Sequence, residues 1–117
     1  AGDLLDGVAE VGGVKVLTGR FDGDLRAQAD RLRDQLGSAV VVLAAHKGPK
    51  ALLIAACTSD LAGKRVHCGN IIKGIAPLVG GGGGGRPDMA QAGGKDPSGI
   101  DAALQQAGAI IREQLGA

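Results

Sequence analysis

Six consecutive glycines, Gly80 to Gly85, run directly into Arg86-Pro87-Asp88-Met89-Ala90-Gln91-Ala92-Gly93-Gly94. A backbone without side chains can approach another polymer closely and take φ values closed to other residues, but each glycine loses more conformational freedom on folding than any other residue. Such a run asks for a reason. The dinucleotide fingerprint G-x-G-x-x-G is met trivially by any six glycines, yet it must follow a strand and open a helix, whereas this run follows a helical pattern. A Walker A loop also fails, because no Gly-Lys-Ser or Gly-Lys-Thr closes it. A flexible linker fits poorly as well, since the residues that follow carry an amphipathic helix that needs the upstream sheet for burial.

The chain has 117 residues, which suits one compact domain over 1–117 with a modest hydrophobic core. Its only aromatic residue is Phe21, so Ala, Val, Leu and Ile must fill that core and the elements must pack closely. The same scarcity removes the usual platforms for stacking splayed bases, so any nucleic-acid contact is expected to be to backbone and shape. Cys57 and Cys68 are too far apart for a CxxC unit, and His46 and His67 complete no familiar zinc spacing. They read as buried small hydrophobes and satisfied histidines, with no metal or cofactor expected. No signal peptide and no apolar run near the ~20 residues of a membrane span are present, which predicts a cytoplasmic protein without membrane contact. The Ala1-Gly2 start, lacking Met, predicts a chain cut from something longer.

The net charge of +1 hides a strong asymmetry. Residues 1–37 and 96–117 are each net acidic, whereas residues 38–95 hold Lys47, Lys50, Lys64, Arg65, Lys73, Arg86 and Lys95 against only Asp60 and Asp88. Positive charge thus gathers around the glycine run.

Val14 to Phe21 alternates and starts β-branched, which predicts a strand introduced by a Gly12-Gly13 turn. From Asp24, Leu25, Ala29, Leu32 and Leu36 fall at helical spacing, with Asp22 or Asp24 as the cap and Gly37 as the stop. Two continuous apolar runs, Ala39 to Ala45 and Ala51 to Cys57, read as central strands covered on both faces. The five residues between them, containing Gly48-Pro49, allow a hairpin but no parallel crossover, so these strands should pair antiparallel. A second helix is expected to present Ile71 or Ile72, Ile75, Leu78 and Val79 on one face, with Pro77 near its end. Ser98 to Asp101 reads as a capping box for a last helix whose face is Ile100, Leu104, Ala107, Ile111 and Leu115. That helix covers the sheet's second side or docks on the first. The fold class expected is α/β: a single layered domain, of two or three layers, with a central mainly antiparallel sheet packed by amphipathic helices and a glycine-rich loop. A short strand around Met89 to Ala92 is compatible with that order. The central hairpin argues against a doubly wound nucleotide-binding fold.

From Val66 through Gly94 the sequence resembles the C-terminal domain of alanyl-tRNA synthetases, a globular type also found appended to DHH phosphodiesterases. The resemblance is carried by the glycine run and by Arg86-Pro87-Asp88-Met89-Ala90-Gln91-Ala92-Gly93-Gly94, with Gly69, Ile72 and Leu78 placed where the family carries its preceding helix. Many relatives have a lysine inside the glycine run where this chain has Gly82. The resemblance implies a non-catalytic module that binds the outer corner of tRNA, alanine-specific by implication, while other domains of the parent synthetase aminoacylate and edit. It also implies dimerisation in some members.

The residues themselves agree with that role. Bare N–H groups of Gly81, Gly82, Gly83, Gly84 and Gly85 can meet phosphate oxygens or a sugar surface, and a nest of such donors is an anion site. Arg86 can grip phosphate bidentately, with Pro87 fixing the chain direction. Lys73 and Lys95 are expected to flank one groove, with Lys64, Arg65 and His67 as a smaller second cluster. Asp88 and Gln91 read as structural, holding the turn. Two other readings stand beside this one: a homodimerisation module using Ala90 to Gly94 and the last helix, and a DHH-phosphodiesterase-associated nucleic-acid-binding domain. A phosphodiesterase enzyme would need clustered metal ligands, for which His46, His67 and Asp60 are the available residues.

Overall fold

The computed structural model describes residues 8–11, 13–21 and 24–116. The elements run β1 (Val8–Val11), β2 (Val14–Arg20), α1 (Leu25–Leu36), β3 (Ala39–Lys47), β4 (Lys50–Cys57), α2 (Cys68–Ile75), β5 (Gly81–Gly85), β6 (Met89–Gly94) and α3 (Ile100–Leu115). Single 3-10 turns, Ala76–Val79 and Pro97–Gly99, precede β5 and α3.

The two apolar runs lie in the middle of a six-stranded sheet of order β1-β2-β3-β4-β6-β5. Their registers pair Val40 with Cys57 and Lys47 with Lys50, so the hairpin closes through a two-residue turn at Gly48-Pro49, tighter than the five-residue connection expected. Gly48 takes φ +58°, a conformation glycine adopts without penalty. Only β2 and β3 are parallel, because α1 provides the crossover; every other pair is antiparallel.

Strand alternation divides the core in two. Leu17, Val41, Leu43, Ala45, Ile54 and Ala56 face α1, where Leu25, Ala29 and Leu32 cover them. Val14, Val16, Val40, Val42, Leu53 and Ala55 face the other way, onto α2 and α3. The architecture is therefore three-layered, with α3 on the side opposite α1. Burying each Ile or Leu of these faces is worth about 1.5–3 kcal/mol against leaving it exposed. Asp24 caps α1 by accepting from the Ala27 N–H at 3.1 Å, and Gly37 at φ +82° ends the helix. Asp22 and Gly12 lie outside the described residues.

Three expectations are corrected. The second helix stops at Ile75 and tightens into the 3-10 turn, because Pro77 has no N–H to continue the ladder. That rotation turns Leu78 out to 40% exposure instead of into the core. No capping box forms at α3: Gly99 is its N-cap without a side-chain bond, Asp96 instead accepts from the backbone N–H and hydroxyl of Ser98, and Asp101 binds Arg20 of β2. The face of α3 is centred on Ile100, Ala103, Ala107 and Ile111, with Leu104 and Leu115 only partly buried. An added strand, β1, was not expected from its four residues.

Candidate nucleic-acid interface

The glycine run is a strand, not a loop. Gly80 at φ +69° closes the 3-10 turn in the left-handed conformation, and Gly81–Gly85 then pairs with β6 at the sheet's edge. Glycine is required at alternate positions by the closeness of β6. A Cβ on Gly81 would stand 1.9 Å from the Gly93 carbonyl oxygen, one on Gly83 2.6 Å from Ala92 Cβ, and one on Gly85 2.8 Å from Ala90 Cα. Gly82 is different, with open space around it, and a Cβ on Gly84 would meet only the Lys73 side chain at 3.4 Å.

The register also fixes which backbone groups face outward. The Arg86 N–H donates to Met89 O at 3.0 Å, so residues 86 and 89 form a hydrogen-bonded pair of the antiparallel ladder. Bonded pairs recur at every second residue, which sends the groups of Gly82 and Gly84 toward β6 and those of Gly81, Gly83 and Gly85 away from it. Helix α2 runs along that outer edge at the Gly85 end, with Gly69 against the Gly85 carbonyl and Lys73 beside Gly84.

The turn after β5 is anchored from below. Pro87 O accepts from the Cys68 N–H at 2.9 Å and from the Cys57 thiol at 3.4 Å, and Asp88 O accepts from the Cys57 N–H at 3.1 Å. The hold on this turn is therefore backbone; the Asp88 carboxylate makes a loose 3.7 Å ion pair with Arg86 Nε, and Arg86 stays 75% exposed. A Cβ on Gly63 would meet the Pro87 ring at 3.7 Å, which places the exposed Lys64 and Arg65 beside the same turn. His67 caps α2 by accepting the Asn70 N–H on Nδ1, while its own N–H donates to Gln114 Oε1 at 3.0 Å. Lys64, Arg65, Lys73 and Arg86 thus gather at the Gly85 end of β5. Gln91 is exposed on the sheet and lines a shallow groove with Arg26 and Leu52.

Lys95 does not share a groove with Lys73, as the spacing had suggested. It sits at the Gly81 end of the strand, across a groove from Lys50, because β5 and β6 run antiparallel and carry the two lysines to opposite ends. Lys50 was counted in the basic segment 38–95 but not singled out as a contact residue. Its signal lies in the fold: β4 and β6 pair Ala51 with Gly94, which brings Lys50 and Lys95 to the same end of the sheet.

The metal-ligand constellation does not assemble among the described residues. His46 lies at the end of β3 near Lys50, whereas Asp60 and His67 lie beyond the far ends of β4 and the loop after it. Asp60 is engaged by the Ser38 hydroxyl at 2.5 Å, and that bond, with one from Thr58, holds its carboxyl below the usual range. Cys57 and Cys68 are fully buried. The hydrogen bond between their thiols, with burial added, pushes Cys68 far up, while the same bond pulls Cys57 down.

A family model described as the DHHA1 domain matches residues 13–113. The chain belongs to the DHHA1 family. Within it the similarity runs to alanyl-tRNA synthetases. The chain is 50% identical over 117 residues to the alanine–tRNA ligase of Roseiflexus sp. (strain RS-1) and 53% identical over 117 residues to that of Acetivibrio thermocellus, covering 97% of this chain in each case. It spans 13% of the length of those two relatives. The crystal structure of the C-Ala domain from Aquifex aeolicus alanyl-tRNA synthetase superposes with a TM-score of 0.78 at 31% identity, covering 94% of this chain and 98% of that one. This DHHA1 domain is thus of the C-Ala type, and its three-layer sheet is the fold expected of it.

Proposed function

We propose that this DHHA1 domain is the non-catalytic, tRNA-binding C-terminal module of a cytoplasmic alanine–tRNA ligase, forming one globular unit over 1–117 and leaving aminoacylation and editing to other domains. The observation that carries the reading is the outer edge of β5. Glycines alone build that strand, the backbone groups of Gly81 and Gly83 point away from β6, and Lys73 and Arg86 flank the same edge. Backbone donors without side chains, next to exposed cations, suit phosphate and sugar. They carry no base-edge code, so the RNA would be selected by its shape. The lack of exposed aromatic platforms supports the same conclusion.

A dimerisation role draws less support. Ala90 is buried within the sheet, and Ala103, Ala107 and Ile111 of α3 are spent on the core, so these small and apolar residues are not offered to a second copy.

Filter binding of folded tRNA against an unstructured RNA of equal length tests the reading. Preference for folded tRNA is expected, with affinity falling steeply in salt. Equal affinity for both would end the claim of shape recognition.

A further inference from the structure

At the Gly81 end of the sheet two exposed lysines line the same groove. Lys50 is the first residue of β4 and Lys95 follows the last residue of β6, and the antiparallel pairing of Ala51 with Gly94 brings these two strand ends together. Two like charges at adjoining strand ends repel each other and do not stabilise a sheet. Stability therefore gives no reason for this row.

The carboxylates at the same end do not relieve it. Asp24 caps α1, Asp96 is bonded to Ser98, and Asp101 holds Arg20 through Nε at 3.1 Å and Nη2 at 2.8 Å. Among the described residues neither Lys50 nor Lys95 has an ion-pair partner. Between the two lysines lies a groove of about 390 Å³ floored by Gly81, Gly93, Gly94 and Leu52, the last 37% exposed. An apolar floor with a cationic rim is matched by a ligand whose phosphates are spaced along flat, less polar groups.

We propose that Lys50 and Lys95 form a second phosphate-binding row, on which a nucleic-acid backbone lies with its phosphates on the two lysines and its sugar faces over Leu52 and Gly93. The row is separate from the Arg86 end of β5. It shares with the function proposed above the premise that RNA is the ligand, and the experiment separates the two.

The test compares the parent chain with Lys50→Gln/Lys95→Gln and Lys50→Arg/Lys95→Arg. Each is titrated with folded tRNA, with unstructured RNA of equal length and with tripolyphosphate at several salt concentrations. The glutamine variant is expected to lower the slope of log affinity against log salt by about 1.4–1.8 for the RNAs, at about 0.7–0.9 per phosphate contact, and the arginine variant to retain the slope. Thermal stability should hold or rise in the glutamine variant, because like charges have been removed. Unchanged RNA slopes would overturn the row. Weaker tripolyphosphate binding with unchanged RNA slopes would overturn it in favour of a free polyphosphate site. If the parent chain binds both RNAs equally but with lysine-dependent slopes, the row stands and shape recognition falls.

Discussion

Gly69, in the first turn of α2, lies so close to Gly85 that a Cβ on it would stand 2.5 Å from the Gly85 carbonyl oxygen. The contact seats the helix on the outer edge of β5 and so positions Lys73, one turn further on. Gly69→Ala is expected to destabilise the domain by about 1–3 kcal/mol, because backbone and not a movable side chain must yield. Gly74→Ala is the control. Its new methyl would meet only Ile110 Cδ1, the swinging end of a side chain, and alanine gains about 1 kcal/mol of helix propensity over glycine. Urea unfolding of both variants should separate them; equal midpoints would show that α2 is not seated by Gly69.

The alternation along β5 makes a sharper expectation. Gly83→Ala would press on Ala92 Cβ at 2.6 Å and on the Gln91 carbonyl, so a loss of about 1–3 kcal/mol is expected. Gly82 has open space and no left-handed φ, so Gly82→Ala should be neutral or stabilise by up to about 1 kcal/mol by restricting the unfolded chain. Thermal melts decide between this and a uniform glycine effect, in which both variants would behave alike.

The sheet's centre was legible in the sequence because its strands are long, apolar and bounded by turn residues. Ala39 to Ala45 and Ala51 to Cys57 read correctly as an antiparallel pair covered on both faces. The glycine strand was not legible. Strand signals come from side chains that alternate, and Gly81–Gly85 has none; its conformation is dictated by β6, which is known only once the chain is folded. The α3 start failed for a related reason. Asp101 had the spacing of a cap, but Arg20, remote in sequence, donates to its Oδ1 from both Nε and Nη2. In the candidate interface, the nearness of Arg86 and Lys73 to the glycines in sequence is kept in space, whereas the groove shared by Lys50 and Lys95 depends on strand pairing between distant segments.

Arg86→Ala should weaken tRNA binding while leaving the melting temperature nearly unchanged. The guanidinium is 75% exposed and its ion pair with Asp88 is long, at 3.7 Å, so the pair contributes about 0–1 kcal/mol to folding. Binding isotherms and melts on the same preparation check both halves. A large drop in melting temperature would mark Arg86 as structural.

The buried thiol pair sets a pH dependence on the alkaline side. The hydrogen bond to Cys57 and burial raise the Cys68 pKa, so the folded chain keeps this proton when the unfolded chain has lost it above about pH 8.5. Stability from this group is full below that pH and declines as pH rises. The lowered Cys57 acts with opposite sign, but its contribution is already complete once the unfolded thiol has ionised. Between pH 8 and 10 the parent chain should therefore lose more stability than the double variant Cys57→Ala/Cys68→Ala, which has no thiol left to titrate, read from urea midpoints at each pH. Parallel losses in the two proteins would remove the thiol pair as the cause.

Gly82 is the one position of β5 at which a Cβ would have nothing within 4 Å. Sterics and charge can therefore be varied separately there. Gly82→Lys adds a cation to an exposed strand without displacing β6, and its Cβ meets no atom that must yield. Affinity for tRNA should rise, and the salt slope should steepen by about 0.7–0.9 if the added ammonium meets one phosphate. Gly82→Gln supplies a long side chain without charge and should leave the slope where it was. If both variants bind alike, charge at this position does not reach the RNA, and the RNA contact lies along the outer edge formed by Gly81 and Gly83 without involving the Gly82 side of the strand.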